Sequence, residues 1–145
     1  MNGNQSYAER NKAPSKGEIL FEQYCKDKQV QCVRLGFDQF NDPIKNFHLI
    51  NPLLRNIPDY FVATNSRQFL VMVKGTANIK KKEVAMIPLF MEWYATKEVP
   101  LYYAFCFKGQ NKPAFRTPDQ VIQLYQQATD KQWSDGVIYR SLKID

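Results

Sequence analysis

Cysteine, histidine and glycine are scarce in this chain, and long apolar runs are missing. Three cysteines, Cys25, Cys32 and Cys106, form no CxxC pair and leave an odd count, so no disulfide framework is written in their spacing. Cys32 and Cys106 lie in apolar runs, and the three are expected to be reduced thiols packed as small hydrophobes in a cytoplasmic, reducing compartment. One histidine beside scattered cysteines gives no zinc cluster; His48, among apolar neighbours, reads as a packed or loop residue. No glycine-rich phosphate loop and no Ser/His/Asp or Cys/His order is present. No apolar run approaches the ~20 residues that span a bilayer. The polar start lacks the apolar segment of a signal peptide, so no membrane partner is expected. Acidic residues are also in short supply. Fourteen against twenty lysines and arginines leave a net charge of +6, which favours a polyanionic partner.

What is present points to one folded domain. A chain of 145 residues buries roughly 70% of its unfolded surface, and with 44% hydrophobic residues it has the material for a core. Residues 1–15 are polar and aperiodic and read as a flexible N-terminal arm, which leaves open a protein partner that holds it. Residues 16–145 form the domain. Ser15 is placed to cap a helix over 17–28, with Ile19, Leu20, Tyr24 and Cys25 on its apolar side. Strands are expected at 30–36, 57–64 and 69–76, the last two joined by a hairpin through Asn65–Gln68. Residues 37–56 are irregular. A helix follows over 79–95, with Pro88 expected to kink or split it. The apolar run 99–108 reads as a strand covered on both faces. Thr117-Pro118 starts a helix reaching about Ala128, and a strand within 136–144 ends the chain. The order α-β-β-β-α-β-α-β predicts an α/β domain with a mixed central sheet flanked by helices.

Candidate chemistry lies on the second and third strands. Asp59 opens one, and Lys74 closes the other. Twelve residues separate Asp59 from Met72, and Met72 shares a strand face with Lys74, so a hairpin brings Asp59 towards both. Taken alone, Asp59 also reads as a polar strand start and Lys74 as a solvated strand end. The run Lys80-Lys81-Lys82 reads either as a phosphate-contacting patch or as a solvated face. Arg34, Arg55, Arg67 and Arg116 join a basic groove only if the fold gathers them. Tyr102, Tyr103, Phe105 and Phe107 read as core.

The Pro58-Asp59 strand, the hairpin, the xxLys ending at Lys74 and the following Gly75-Thr76 resemble the PD-(D/E)XK nuclease superfamily, especially its small Holliday-junction-resolvase-like members. The resemblance covers roughly residues 16–108. It extends to a helix bearing Glu18 and to Arg34, sixteen residues further on in a strand. It implies a restriction-endonuclease-like fold and a metal-dependent endonuclease acting on DNA, with Mg²⁺ or Mn²⁺ as cofactor. Asp59 would be a metal ligand, Lys74 the catalytic lysine, and Glu18 the added helix carboxylate, with Glu22 as a fallback. On the functional reading of their charge, Lys80, Lys81, Lys82 and Arg34 would contact nucleic acid beside that site.

One position departs from the pattern. Met72 stands where the superfamily has its second acidic residue, and a thioether is a poor Mg²⁺ ligand. Either the carboxylate has migrated to the next helix, where Glu83 is the candidate and Glu92 a second, or the fold persists without catalysis. In that case it serves as a nucleic-acid-binding or structural subunit of a larger assembly. A basic α/β domain unrelated to nucleases is the third reading, and it requires that strands two and three are not paired. The oligomeric state stays open, a homodimer included.

Overall fold

The computed structural model describes residues 15–35 and 56–145. The expected arm up to Pro14 and almost all of the irregular stretch 37–56, with His48 and Arg55, lie outside the described residues.

Ser15 caps helix α1 (Lys16–Asp27). Its hydroxyl accepts the Glu18 amide at 3.2 Å, and the Glu18 carboxylate accepts the Ser15 amide at 3.4 Å, so two N–H groups find partners reciprocally. The buried stripe is Gly17, Phe21 and Cys25. That is one residue round from the expected one: Ile19 is 54% exposed, and Leu20 and Tyr24 pack only at the edge of the core. Phe21 sets the orientation by packing on Tyr60, ring centroids 5.1 Å apart.

The main sheet has the order β1-β2-β3-β5-β6. Strands β1 (Gln31–Arg34), β2 (Tyr60–Ala63) and β3 (Gln68–Lys74) form an antiparallel meander. Strand β4 (Asn78–Lys80) leads into helix α2 (Lys81–Tyr94), which carries the chain back to β5 (Leu101–Phe105), parallel to β3. Strand β6 (Ala114–Arg116) then pairs antiparallel with β5 and leads to helix α3 (Pro118–Gln127). The sheet is therefore mixed and the class α/β, as the element order predicts. Strands β7 (Asp130–Gln132) and β8 (Ile138–Ser141) form a hairpin that joins β4 in a second sheet, ordered β4-β8-β7.

Three short elements correct the sequence reading. Residues 79 and 80 belong to strand β4 rather than to the helix, because Ile79 is buried and paired with Arg140. Strand β6 lies in what reads as a loop before Thr117. The chain end is a hairpin and not one strand. Pro88 does not split α2, which runs continuously through it. The residue is exposed, so the carbonyl left without a donor can turn towards water. The α3 start is as expected: the Thr117 hydroxyl accepts the Gln120 amide at 3.2 Å, with Pro118 in the first helical position.

Helix α1 covers one face of the main sheet, where Phe21 and Cys25 meet Tyr60, Val62, Val71, Ala104 and Cys106. Helices α2 and α3 cover the other, where Ile87, Phe90, Val121 and Tyr125 meet Leu101, Tyr103 and Phe105. Strand β5 is thus buried from both sides, as its unbroken apolar sequence predicts. All three cysteines are free. Burial pushes the Cys25 and Cys106 thiols up to about 12 and raises Cys32 as well, so they are protonated at neutral pH. No helix among the described residues is long and apolar enough to cross a membrane.

Candidate active site

Strand alternation and register decide which side chains meet. Strands β2 and β3 are paired neighbours, with Tyr60 opposite Val71. Just before β2, the Asp59 amide donates to the Val71 carbonyl at 2.9 Å. The Asp59 carbonyl accepts the Leu35 amide at 2.8 Å, and its carboxylate accepts the Val73 amide at 2.7 Å. Three bonds therefore fix Asp59 where β2 starts. Met72 and Lys74 lie on the same face of β3, and Met72 is in register with Tyr103 on β5. The hairpin thus brings together the residues that the sequence pairs.

Helix α2 closes this group from above. Glu83, in its first turn, accepts a bond from the Lys74 ammonium at 2.8 Å and one from the Lys80 amide at 3.3 Å. The second bond satisfies a helix N-terminal N–H and sets a carboxylate where the helix dipole favours it, among three lysines that it disfavours. A cleft of about 260 Å³ lies between the sheet and the helix, lined by Asp59, Met72, Lys74, Lys82, Glu83 and Tyr103 among others. Tyr103 reads from sequence as core, and its ring is 3% exposed. Its hydroxyl nevertheless senses the cleft: burial raises its pKa first, and the Glu83 and Asp59 charges raise it further. Its phenol is therefore protonated at neutral pH. The signal for it was parity, since residue 103 falls on the Met72 face once the parallel register is known.

Glu18 and Arg34 also meet, but on the opposite face of the sheet. The carboxylate lies 3.4 Å from the Arg34 guanidinium, with each side chain 14% exposed. Arg34 is opposite Tyr60 in register, and the Tyr60 hydroxyl donates to Glu22 at 2.7 Å. Burial raises the Tyr60 pKa, and the hydrogen bond to Glu22 and its charge add to that. Glu18, Glu22 and Arg34 thus gather under α1, and none of them lines the cleft.

The other basic candidates disperse. Lys80, Lys81 and Lys82 are exposed at the α2 start, and Lys82 reaches the cleft. Arg67 lies at the far hairpin, bonded to the Tyr102 hydroxyl at 2.7 Å. Arg116 donates to the Phe115 carbonyl. Glu92 is exposed on α2 and does not line the cleft.

Asp59 and Glu83 place hard oxygen donors on the walls of one cleft, and Mg²⁺ commonly takes one or two carboxylates and completes its shell with water and phosphate oxygens. The donor set fits such an ion through two ligands only. Among the described residues no group of three or more His, Cys, Asp or Glu side chains is gathered to hold a metal. Met72 offers a thioether and packs against the apolar side chains beneath α2. Compared with known families and with curated proteins, the chain matches no family model and no curated protein.

Proposed function

We propose that the cleft between β2, β3 and α2 is the active site of a metal-dependent DNA endonuclease, hydrolysing phosphodiester bonds. The observation that carries this reading is the position of Glu83. It lines the cleft with Asp59, 2.8 Å from Lys74, and so supplies the carboxylate that Met72 does not. Asp59 and Glu83 would hold a divalent ion, whose chemistry is to acidify a bound water and offset charge on the phosphate. Lys74 then turns from Glu83 to the phosphate oxygens, where its charge stabilises the transition state. Lys82, at the mouth, draws the strand in by its charge.

The test is cleavage of labelled branched, single-stranded and duplex DNA in Mg²⁺ and in Mn²⁺. Asp59→Ala, Lys74→Ala and Glu83→Ala should each lower the rate on the order of 100-fold or more, the scale of losing one such group. Cleavage that survives all three substitutions would sink the assignment.

A second reading keeps the fold and drops the chemistry. It is favoured by the packing of Met72 and by the partners the two carboxylates already have, the Val73 amide for Asp59 and the Lys74 ammonium for Glu83. On that reading the protein binds nucleic acid as an inactive subunit. The same assay separates the two, since binding without cleavage in either metal selects the second.

A further inference from the structure

The small sheet has one face turned inward and one turned out. Alternation puts Ile79 and Arg140 on the inner face, and the contacts agree. Ile79 is buried in the core, while Arg140 bonds the Tyr125 carbonyl at 2.7 Å and Asp130 at 2.6 Å. The outer face therefore carries Lys80, Tyr139 and Lys131. These three are directly opposite one another, Lys80 with Tyr139 and Lys131 with Tyr139, so they form one row across three strands. Neighbouring strands are about 4.8 Å apart, which puts the two lysine stems about 10 Å from each other with the tyrosine between them. Trp133 stacks on Tyr139, centroids 4.0 Å apart and planes 13° from parallel. Both lysines are exposed. The acids of this hairpin are used elsewhere: Asp130 pairs with Arg140 on the inner face, and Asp135 accepts the Val137 amide at the turn. A flat aromatic pair beside two lysines suits a strand of alternating phosphate and sugar-base units.

We propose that this outer face is a nucleic-acid track that continues the cleft, with Lys80 and Lys131 holding backbone phosphates and the Trp133–Tyr139 stack supporting the strand between them. Continuity comes from the chain itself. Lys80 ends β4, and two residues later Lys82 lines the cleft mouth, so the row and the site share one basic edge. The proposal rests on the reading of the cleft as a nucleic-acid site. It adds that the bound strand leaves over β4, β8 and β7, not over the β2–β3 hairpin.

The experiment measures the affinity of the full chain for a labelled duplex and a labelled single strand of mixed sequence, in chelator, from about 50 to 200 mM salt. Lys131→Gln and Lys80→Gln should each lower the salt slope by about one and weaken binding severalfold. Lys97→Gln removes the same charge at the opposite end of the main sheet and should change affinity less than about twofold. Because the chain has two tryptophans, a Trp93→Phe background leaves Trp133 as the sole indole, and its emission should change on titration with the nucleic acid. The proposal falls if Lys131→Gln binds like Lys97→Gln, if Trp133 emission does not respond, or if the unaltered chain does not bind. Cleavage lost in Asp59→Ala with a silent Lys131→Gln would leave the active-site reading standing and remove only the track. A responsive Lys131→Gln with cleavage that survives in Asp59→Ala would keep the track and remove the nuclease.

Discussion

The two faces of the main sheet each hold an acid–base pair, and the pairs differ in what surrounds them. Under α1, Glu18 and Arg34 stand 3.4 Å apart at 14% exposure each. Nearby, Glu22 is held by the Tyr60 hydroxyl. Under α2, Lys74 and Glu83 are closer, at 2.8 Å, yet more open, at 22% and 32%, and they border a cleft that also reaches Asp59 and Tyr103. Proximity alone therefore does not mark a site. A pair that borders a space large enough for a phosphate, with a second carboxylate lining the same cleft, has somewhere for chemistry to happen. The Glu18–Arg34 pair borders no such cleft among the described residues.

The largest effects should come from removing one carboxylate on each face. Glu83→Gln should cut DNA cleavage on the order of 100-fold while shifting stability by less than about 1 kcal/mol, since its ion pair is partly exposed. Glu18→Gln should do the reverse. It removes one charge of a mostly buried ion pair while glutamine can keep the capping-box bond, for about 1 kcal/mol, and leaves cleavage within a fewfold. Paired melts and rates decide the matter. Cleavage lost equally in both variants at unchanged melting temperature would bring α1 into the site and erase the contrast drawn between the faces.

A change at Met72 is expected to act next most strongly. The side chain packs beneath α2 and also lines the cleft, so it belongs to the core and to the site at once. Met72→Glu adds a third carboxylate beside Asp59 and Glu83 with one ammonium between them. In chelator this should cost about 1–3 kcal/mol. Excess Mg²⁺ should restore part of that loss, because an ion bound only by the folded state stabilises it. On the proposed reading Glu83 already supplies the ligand, so cleavage should change less than about tenfold. Thermal melts with and without Mg²⁺ read the outcome. A destabilised protein that the ion does not rescue, and that no longer cleaves, would make this face plain core.

How much of this was legible beforehand follows from the range of each signal. Ser15 and Thr117 were readable as caps because the bonds they make reach only three residues along the chain. The meeting of Asp59 with Met72 and Lys74 was readable because a short hairpin fixes register. Glu83 was visible as a candidate in the first turn of the helix, but its bond to Lys74 depends on how α2 seats on the sheet. Strands β4, β6 and β7 were not readable. Three residues carry no period, and the partner of Asn78 is Ser141, at the far end of the chain. The resemblance placed Glu18 at the site, and the spacing it quotes does bring Glu18 to Arg34. What the spacing did not carry was the face of the sheet on which they meet.

The smallest effects concern the seam where the two faces come nearest. Gly17, in the first turn of α1, packs on Gly75, the residue after Lys74. A Cβ on Gly17 would stand 2.8 Å from the Gly75 Cα and 3.0 Å from its nitrogen, and both are backbone atoms that cannot swing aside. A Cβ on Gly75 would find the Gly17 nitrogen at 3.6 Å, an ordinary contact. Each exchange to alanine removes unfolded-state freedom worth about 0.4–1 kcal/mol, so the sterics decide the sign. Gly17→Ala should lose about 1–2 kcal/mol net, because α1 must lift from the end of β3. Gly75→Ala should stay within about 0.5 kcal/mol of the original. Denaturant midpoints at constant slope measure both. If Gly75→Ala proves the costlier of the two, the helix does not seat against the end of β3 as described, and the separation of Glu18 from the cleft loses its footing.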